Sequence, residues 1–482
     1  MNAIQVDVAI IGAGTAGLNA RRAVEEEGQT ALLIDPGPLG TTCARVGCMP
    51  SKLLIAAAEA VHTTREGPVF GFDADVQVNG KAVMERVRRE RDRFVGFVLE
   101  ATNEHREHGR LLTGRGRLVD PRTVQVSDPS GNDIASVTAR SFVVATGSTP
   151  RVPPAYQDLG DLLLDNEALF ELTDIPKSVL VVGPGVIGLE LGQALSRLGS
   201  RVRIVGRSGT VGPLKDPKMR EHASFTFREE LDLYPVVRDL EVRREGAHAW
   251  VRFRDEAGET HESTYERVLI AAGRSPNLRG LGLEQLGVSI SNHGRLHYDP
   301  MTMQVGESNV FVAGDVNGDL PLLHEAADEG RIAGMNAARH PKVLVHRRRT
   351  PLAIVFTDPQ MATVGAPWDA LDCANHRVGE VSYRNQGRAR VMNRHRGHVR
   401  IYGEVGTGRL LGAEMLGPDV EHTAHLLAWA IQSGLTVADA LEMPFYHPVV
   451  EEGIRTALRD LRQNLRVARR SGVRCDDFGP GE

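Results

Sequence analysis

Residues 5–35 read QVDVAIIGAGTAGLNARRAVEEEGQTALLID. Residues 5–11 have the apolar density of a buried strand. Gly12, Gly14 and Gly17 follow, a helical run extends to about Glu27, and residues 30–35 form a second strand ending at Asp35. This is a βαβ unit. Its first glycine makes the tight turn, its second lets the backbone approach a pyrophosphate, and its third lets helix and strand pack closely. Asp35 stands where a carboxylate can hold a ribose hydroxyl. The plain alternative is a glycine-rich turn in an ordinary α/β unit, and the strand–turn–helix–strand order argues against it.

The pattern recurs. Residues 178–207, SVLVVGPGVIGLELGQALSRLGSRVRIVGR, carry Gly183, Gly185 and Gly188. Gly206 lies at the same offset from Gly183 as Asp35 from Gly12, and Arg207 follows. Two such units in one chain imply two dinucleotides that meet. Segments 141–154 (SFVVATGSTPRVPP) and 267–277 (RVLIAAGRSPN) are matching exits from the two units, and 309–318 (NVFVAGDVNG) is a strand ending in Gly314-Asp315. The basic run His346–Arg349 reads as a solvated linker. The last residues have little to bury.

Composition bounds the class. A chain of 482 residues exceeds one core, so two to four domains are expected. With 41% hydrophobic and 25% charged residues it is an ordinary globular protein, and a net charge of −5 points to neither nucleic acid nor membrane. No apolar run reaches the eighteen or so residues of a membrane span. The N-terminal residues lack the features of a signal peptide, so a cytoplasmic protein is expected. In that setting a close cysteine pair more often does redox chemistry or binds metal than staples the fold.

Residues 40–52, GTTCARVGCMPSK, contain two of the four cysteines, Cys43 and Cys48. In a regular helix, residues at this spacing are about 7.5 Å apart along the axis, and a disulfide needs Cα atoms within about 7 Å. A bridge there requires an irregular segment, and Pro50 fits a disturbed first turn. Two buried free thiols remain an alternative. A zinc site needs further ligands, and none is visible nearby.

Together these residues resemble the flavoprotein disulfide reductases, a group that includes dihydrolipoamide dehydrogenase, glutathione reductase and mercuric reductase. The likeness covers nearly the whole chain in order: Gly12–Gly17, Cys43–Lys52, Ala145–Gly147, Gly183–Gly188, Gly273–Asn277, Ala313–Asp315 and His447–Glu452. It implies an α/β fold of two nested Rossmann-like dinucleotide-binding domains plus an α+β C-terminal dimerisation domain. The expected divisions are 1–150 (first part of the FAD domain), 151–275 (NAD(P) domain), 276–345 (central domain completing the FAD site), 346–465 (dimerisation domain) and 466–482 (tail). The implied cofactors are FAD and either NAD or NADP. The residues expected to touch them are Gly12, Gly14, Gly17, Asp35, Thr42, Lys52, Gly116, Thr146, Gly147, Asp315 and Leu323, with Gly183, Gly185, Gly188, Gly206, Arg207 and Gly273.

By the same resemblance Cys48 is the thiol facing the flavin and Cys43 the thiol that exchanges with substrate. His447 is the acid–base group, oriented by Glu452 and acting on the other subunit of a homodimer. Lys52 pairs with Glu190 beside the flavin. No metal is implied. The family usually has glycine where Thr41 stands and asparagine where Arg45 stands. Arg45 either favours a thiolate or points to solvent. Tyr446 replaces a small residue before the histidine. Arg22 falls about where some glutathione reductases hold an anionic substrate. Cys373 and Cys475 have no assigned role, and Cys475 stands alone where mercuric reductases carry a pair. The Pro-Ser-Lys of residues 50–52 and the apolar LLIAAA after it suit an uncharged lipoyl arm. The expected activity is therefore dihydrolipoyl dehydrogenase-like. A glutathione reductase-like, NADPH-dependent disulfide reductase is the alternative. A non-catalytic flavin-binding redox sensor ranks low, because Cys43, Cys48, His447 and Glu452 are all present. At the nucleotide end, Arg207 offers a guanidinium to a 2′-phosphate, Lys215 is a candidate second cation, and Gly206→Glu is expected to favour NAD.

Overall fold

The computed structural model describes residues 2–288, 290–291 and 294–466. The expected tail beyond 466 and Cys475 lie outside them. The first glycine unit forms a parallel five-stranded sheet. Its order is Val310–Val312, Ser141–Val144, Val8–Ile11, Ala31–Asp35 and Leu111–Thr113. Val8–Ile11 is buried at every position, as a central strand covered on both faces must be. An antiparallel layer from Arg115–Asp120, Thr123–Ser127 and Asp133–Thr138 covers one face. Helices Thr15–Glu26 and Leu323–Arg339 cover the other. These two helices approach closely because Gly330 and Gly334 carry no Cβ: an added one would lie 2.2 and 2.3 Å from the carbonyl oxygens of Ala16 and Ala20.

The second unit repeats the plan inside the first. Its parallel sheet runs Leu163–Leu164, Arg267–Ile270, Ser178–Val182, Arg201–Val205 and Asp232–Tyr234. A three-stranded antiparallel sheet, Arg238–Glu245, His248–Arg254 and Thr260–Tyr265, lies beside it. The two exits expected from sequence pair with each other as an antiparallel ribbon, Ser148–Pro150 with Arg274–Pro276. The C-terminal part is an antiparallel five-stranded sheet ordered Leu352–Val355, Gln360–Gly365, Leu410–Gly417, His398–Glu404 and His376–Ser382. Helices Val420–Gln432 and Glu452–Leu465 pack on it. Among the described residues no helix is long and apolar enough to cross a membrane.

The basic run is not a solvated linker. Arg348 reaches Glu325 at 2.6 Å, Glu329 at 3.1 Å and Asp328 at 3.5 Å, all nearly buried on helix Leu323–Arg339. Glu329 in turn accepts from the backbone N–H of Gly314 at 2.7 Å and from Asn317 at 2.8 Å. This fixes the Gly314-Asp315 turn. Burial pushes the Glu329 carboxyl upward, and Arg348 opposes that. Arg348→Met leaves the buried Glu329 without its counter-charge and is expected to cost about 3–5 kcal/mol. Burial then makes Glu329 harder to ionise folded than unfolded, with Arg348 no longer opposing it, so the loss is greater at pH 8 than at pH 5. Urea unfolding at the two pH values checks both the size and the sign.

Candidate active site

The redox segment is irregular, as its spacing demands. A short helix, Thr42–Val46, stops at Gly47, whose φ of −125° and ψ of −114° break the path. A second helix, Cys48–Arg65, starts there. Thr41 has φ 59° and ψ 148°, a backbone that glycine adopts and β-branched residues avoid. Its hydroxyl accepts from the Ala44 N–H at 3.3 Å and caps the short helix, a partial compensation. Cys43 and Cys48 are free thiols beside one another. The Cys43 S–H donates to Cys48, so Cys43 is pushed up and Cys48 is lowered to about 7. After that bond, the Lys52 ammonium is the main charge favouring the Cys48 thiolate, and Glu190 opposes it. Arg45 is not among the principal charges. Its stem lies beside Gly40.

Lys52 and Glu190 meet from different domains, with Nζ 2.9 and 2.7 Å from the two carboxylate oxygens. Glu190 is 5% exposed, so this is a buried pair on the carboxylate side. The Phe356 ring lies 4.6 Å from Nζ, and the Phe356 N–H donates to Glu190 Oε1 at 2.8 Å. Sequence reasoning missed Phe356. It also missed Asn166, which donates to the Val46 carbonyl at 2.7 Å and ties the redox segment to the second unit.

These groups share one cavity of about 450 Å³. Of the residues singled out from sequence, Gly14, Thr42, Cys43, Cys48, Lys52, Gly147, Glu190, Asp315 and Leu323 line it. The glycines fit a bound pyrophosphate. A Cβ on Gly12 would sit 2.2 Å from the Ala145 oxygen, and one on Gly17 would sit 1.9 Å from the Gly12 oxygen. Gly14 faces open space at the start of helix Thr15–Glu26, where unpaired N–H groups attract anions. Asp35 already accepts from Ala13 N and Gly37 N, each at 2.7 Å, so its carboxylate also shapes this turn. Asp315 accepts from the Ser148 hydroxyl at 2.8 Å. Gly116, Thr146 and Gly273 do not line the cavity. Gly116 packs near Ile34 and Val124. The Thr146 hydroxyl donates to the Asn277 carbonyl at 2.7 Å, and the Gly273 carbonyl accepts from Arg151 N at 2.9 Å.

Residues 6–330 match the pyridine nucleotide-disulphide oxidoreductases, and residues 352–458 match the dimerisation domain of that group. The chain belongs to this family. FAD and a nicotinamide dinucleotide are the cofactors of the pyridine nucleotide-disulphide oxidoreductases, and the dimerisation domain supports a homodimer. A dihydrolipoyl dehydrogenase from Geobacillus stearothermophilus is 29% identical over 459 residues, 93% of this chain and 95% of that protein. A mercuric reductase from Shigella flexneri is 31% identical over 478 residues, 95% of this chain and 81% of that protein. LpdA from Mycobacterium tuberculosis superposes with a TM-score of 0.80 at 28% identity, over 95% of this chain and 99% of that one.

In this member of the family the nucleotide end departs from expectation at two points. Gly206 is buried, and a Cβ there would lie 2.6 Å from the Pro235 oxygen and 2.7 Å from Pro184 Cδ. Packing requires this glycine, so Gly206→Glu is not a clean test of cofactor choice. Lys215 is not the second cation. Its Nζ is directed to Asp369 at 3.7 Å, in the C-terminal part. The cation that lies near Ser208 is Arg220: its Nη2 donates to the Ser208 carbonyl at 3.1 Å, beside the Ser208–Thr210 hydroxyl pair at 2.7 Å. Arg207 is exposed and interacts with the Tyr156 hydroxyl. Gly183, Gly185 and Gly188 repeat the first fingerprint, with Gly185 facing open space.

His447 Nδ1 lies 3.0 and 3.2 Å from the Glu452 oxygens, and this bond lowers the Glu452 carboxyl. The ring is 80% exposed and does not line its own subunit's cavity. Tyr446 beside it is equally exposed. Arg22 is exposed and also lies off the cavity.

Alkylation of Cys48 in the reduced protein, mapped by mass spectrometry, is expected to be half-maximal near pH 7. The rate rises with pH as the thiolate forms. Lys52→Met should move that midpoint upward toward an ordinary thiol, and an unchanged profile would exclude Lys52 as its cause.

Proposed function

We propose that the chain is a dihydrolipoyl dehydrogenase-like enzyme that moves two electrons between a dithiol and NAD(P), acting in a reducing cytoplasm. The observation that carries this is the convergence of Cys43, Cys48, Lys52 and Glu190 on one cavity. A dithiol reduces the Cys43–Cys48 disulfide by thiol exchange. The substrate leaves as a disulfide, Cys43 keeps a proton as the thiol, and Cys48 remains as thiolate. Net, one dithiol and one NAD(P)⁺ give one disulfide, one NAD(P)H and one proton. Bound FAD supplies the two-electron relay between thiols and nicotinamide. Lys52 holds the negative charge at Cys48. The open face of Gly14 and the helix behind it cradle the FAD pyrophosphate.

The proton leaving substrate sulfur needs a base. His447, held by Glu452, is the candidate, and its exposure away from its own cavity supports action on Cys43 of the neighbouring subunit. The cations lining the cavity are engaged: Lys52 with Glu190, and Arg274 with Ser148 at 2.7 Å. An uncharged lipoyl-type dithiol therefore suits it better than an anionic disulfide. A kinetic panel of dihydrolipoamide, lipoamide, oxidised glutathione and Hg(II), with both nicotinamides, tests the assignment. Dihydrolipoamide should give the highest kcat/KM, and a clear preference for glutathione or Hg(II) would overturn it.

One observation favours a second reading, an NADPH-dependent disulfide reductase. Arg207 and Arg220 flank residues 208–210, and no ion pair joins either guanidinium to a carboxylate among the described residues. Such a pair matches a 2′-phosphate. NADP(H) is expected to be accepted. Arg207→Ala and Arg220→Ala should each raise its KM about tenfold, the scale of one charge-assisted bond, with NAD(H) little changed. Equal effects on both nucleotides would contradict a phosphate role.

His447→Ala should lower dithiol oxidation at least about a hundredfold, with FAD content unchanged. Mixed dimers of His447→Ala and Cys48→Ser subunits should regain activity at one of their two sites. Dimers that stay inactive would place the base elsewhere.

A further inference from the structure

Residues 356–358, Phe-Thr-Asp, leave strand Leu352–Val355 of the C-terminal sheet and run along helix Val186–Arg197 of the second dinucleotide unit. The Phe356 N–H donates to Glu190 Oε1 at 2.8 Å. The Asp358 N–H donates to Gln193 Oε1, and Gln193 Nε2 returns a bond to the Asp358 carbonyl, each at 2.8 Å. Arg197 Nη2 reaches Asp358 Oδ2 at 3.0 Å and Nε reaches Glu230 at 2.5 Å. Glu190, Gln193 and Arg197 share one face of the helix. The turn is therefore fastened along the helix that carries Glu190. At its near end the Phe356 ring faces the Lys52 ammonium at 4.6 Å.

We propose that Phe356 is the positioning residue of the Lys52–Glu190 pair. Its N–H fixes the carboxylate and its ring fixes the ammonium, so each subunit's dimerisation domain holds its own subunit's redox charge in place. The proposal rests on the reading of Cys43, Cys48, Lys52 and Glu190 as the reaction centre. The physical need is specific. A lysine ammonium is a strongly hydrated point charge on a flexible stem. With only Glu190 and a long 3.4 Å bond to the Ser51 hydroxyl to hold it, it can slide along the carboxylate and draw in water, which weakens its field at Cys48. An aromatic face attracts the cation from a second side and excludes that water. Glu190 is itself nearly buried, so it needs a fixed donor besides the lysine, and the Phe356 N–H is that donor.

The readout is the pH titration of the Cys48 thiolate, followed by its long-wavelength absorbance against oxidised flavin in the two-electron-reduced holoenzyme. The charges acting on Cys48 are Lys52 and Cys43 from its own segment and Glu190 from helix Val186–Arg197. Arg274, Asp315, His324 and His425 line the same cavity. All variants carry His447→Ala, so that this histidine does not titrate with the thiol.

Phe356→Leu keeps the N–H and an apolar side chain but removes the ring. It should raise the midpoint by about half a unit, a threefold change in the acid constant, on the scale of a cation–π contact. Phe356→Tyr should restore the parent midpoint. Phe356→Met gives the same readout as leucine should the leucine protein fail to hold FAD. Lys52→Met is the reference and should move the midpoint further. A merely space-filling phenylalanine changes thermal stability without moving this titration. Leucine and tyrosine variants that both titrate like the parent, while Lys52→Met shifts, overturn the positioning role alone. A Lys52→Met protein that also titrates like the parent overturns the reaction-centre reading and this proposal with it.

Discussion

A lysine ammonium and a glutamate carboxylate, 138 residues apart in the chain, meet at 2.7 Å behind the thiol pair. Three parts of the fold must be in register for that contact to exist. The redox helix brings Lys52, the helix after the second glycine fingerprint brings Glu190, and the turn after the first C-terminal strand closes over both with Phe356. A buried carboxylate without its cation costs several kcal/mol, so the pair is strongly constrained once the domains dock. Its positive end then acts at Cys48. The Cys43 S–H and the Lys52 charge together outweigh the burial that would otherwise keep Cys48 protonated.

The remainder of the site follows the same division of labour. The glycine turn at Gly12–Gly17 leaves backbone open where a pyrophosphate can sit. The Gly314-Asp315 turn is held from below by Glu329, and Glu329 by Arg348. The single chain does not bring His447 to its own thiols. His447 is fixed by Glu452 yet faces outward. The dimerisation domain supports a homodimer, and the exposed histidine is the reason the proposed chemistry is assigned to the dimer. Relatives bearing the names dihydrolipoyl dehydrogenase and mercuric reductase stand at similar identity. The fold is thus common to relatives of more than one name, and the family alone does not fix the substrate.

Features governed by local backbone geometry were legible in the sequence. Gly12, Gly17, Gly183 and Gly188 have no room for a Cβ, so they announce the βαβ turns wherever they occur. The spacing of Cys43 and Cys48 demanded a broken helix, and Gly47 supplies the break. The link between Lys52 and Glu190 came only through resemblance, since nothing local in either helix names the other. Features built by tertiary contact were not legible. The run at 346–349 looks solvated by composition, but the acidic partners of Arg348 sit within about one turn of helix Leu323–Arg339, some twenty residues earlier in the chain. Gly206 looks like a choice of cofactor and is a consequence of Pro184 and Pro235. Asn166 and Phe356 carry no motif, because each acts through a contact between distant parts of the chain, and Arg220 reaches the Ser208 carbonyl only through the fold of the second unit.

The central claim is that dithiol electrons enter through Cys43 while Cys48 holds the thiolate. Cys43→Ser with FAD bound tests it most directly, by assaying dihydrolipoamide oxidation and recording the flavin spectrum on the same sample. Turnover is expected to be lost while FAD and the long-wavelength absorbance of the Cys48 thiolate remain. Full dithiol turnover by that protein would contradict it.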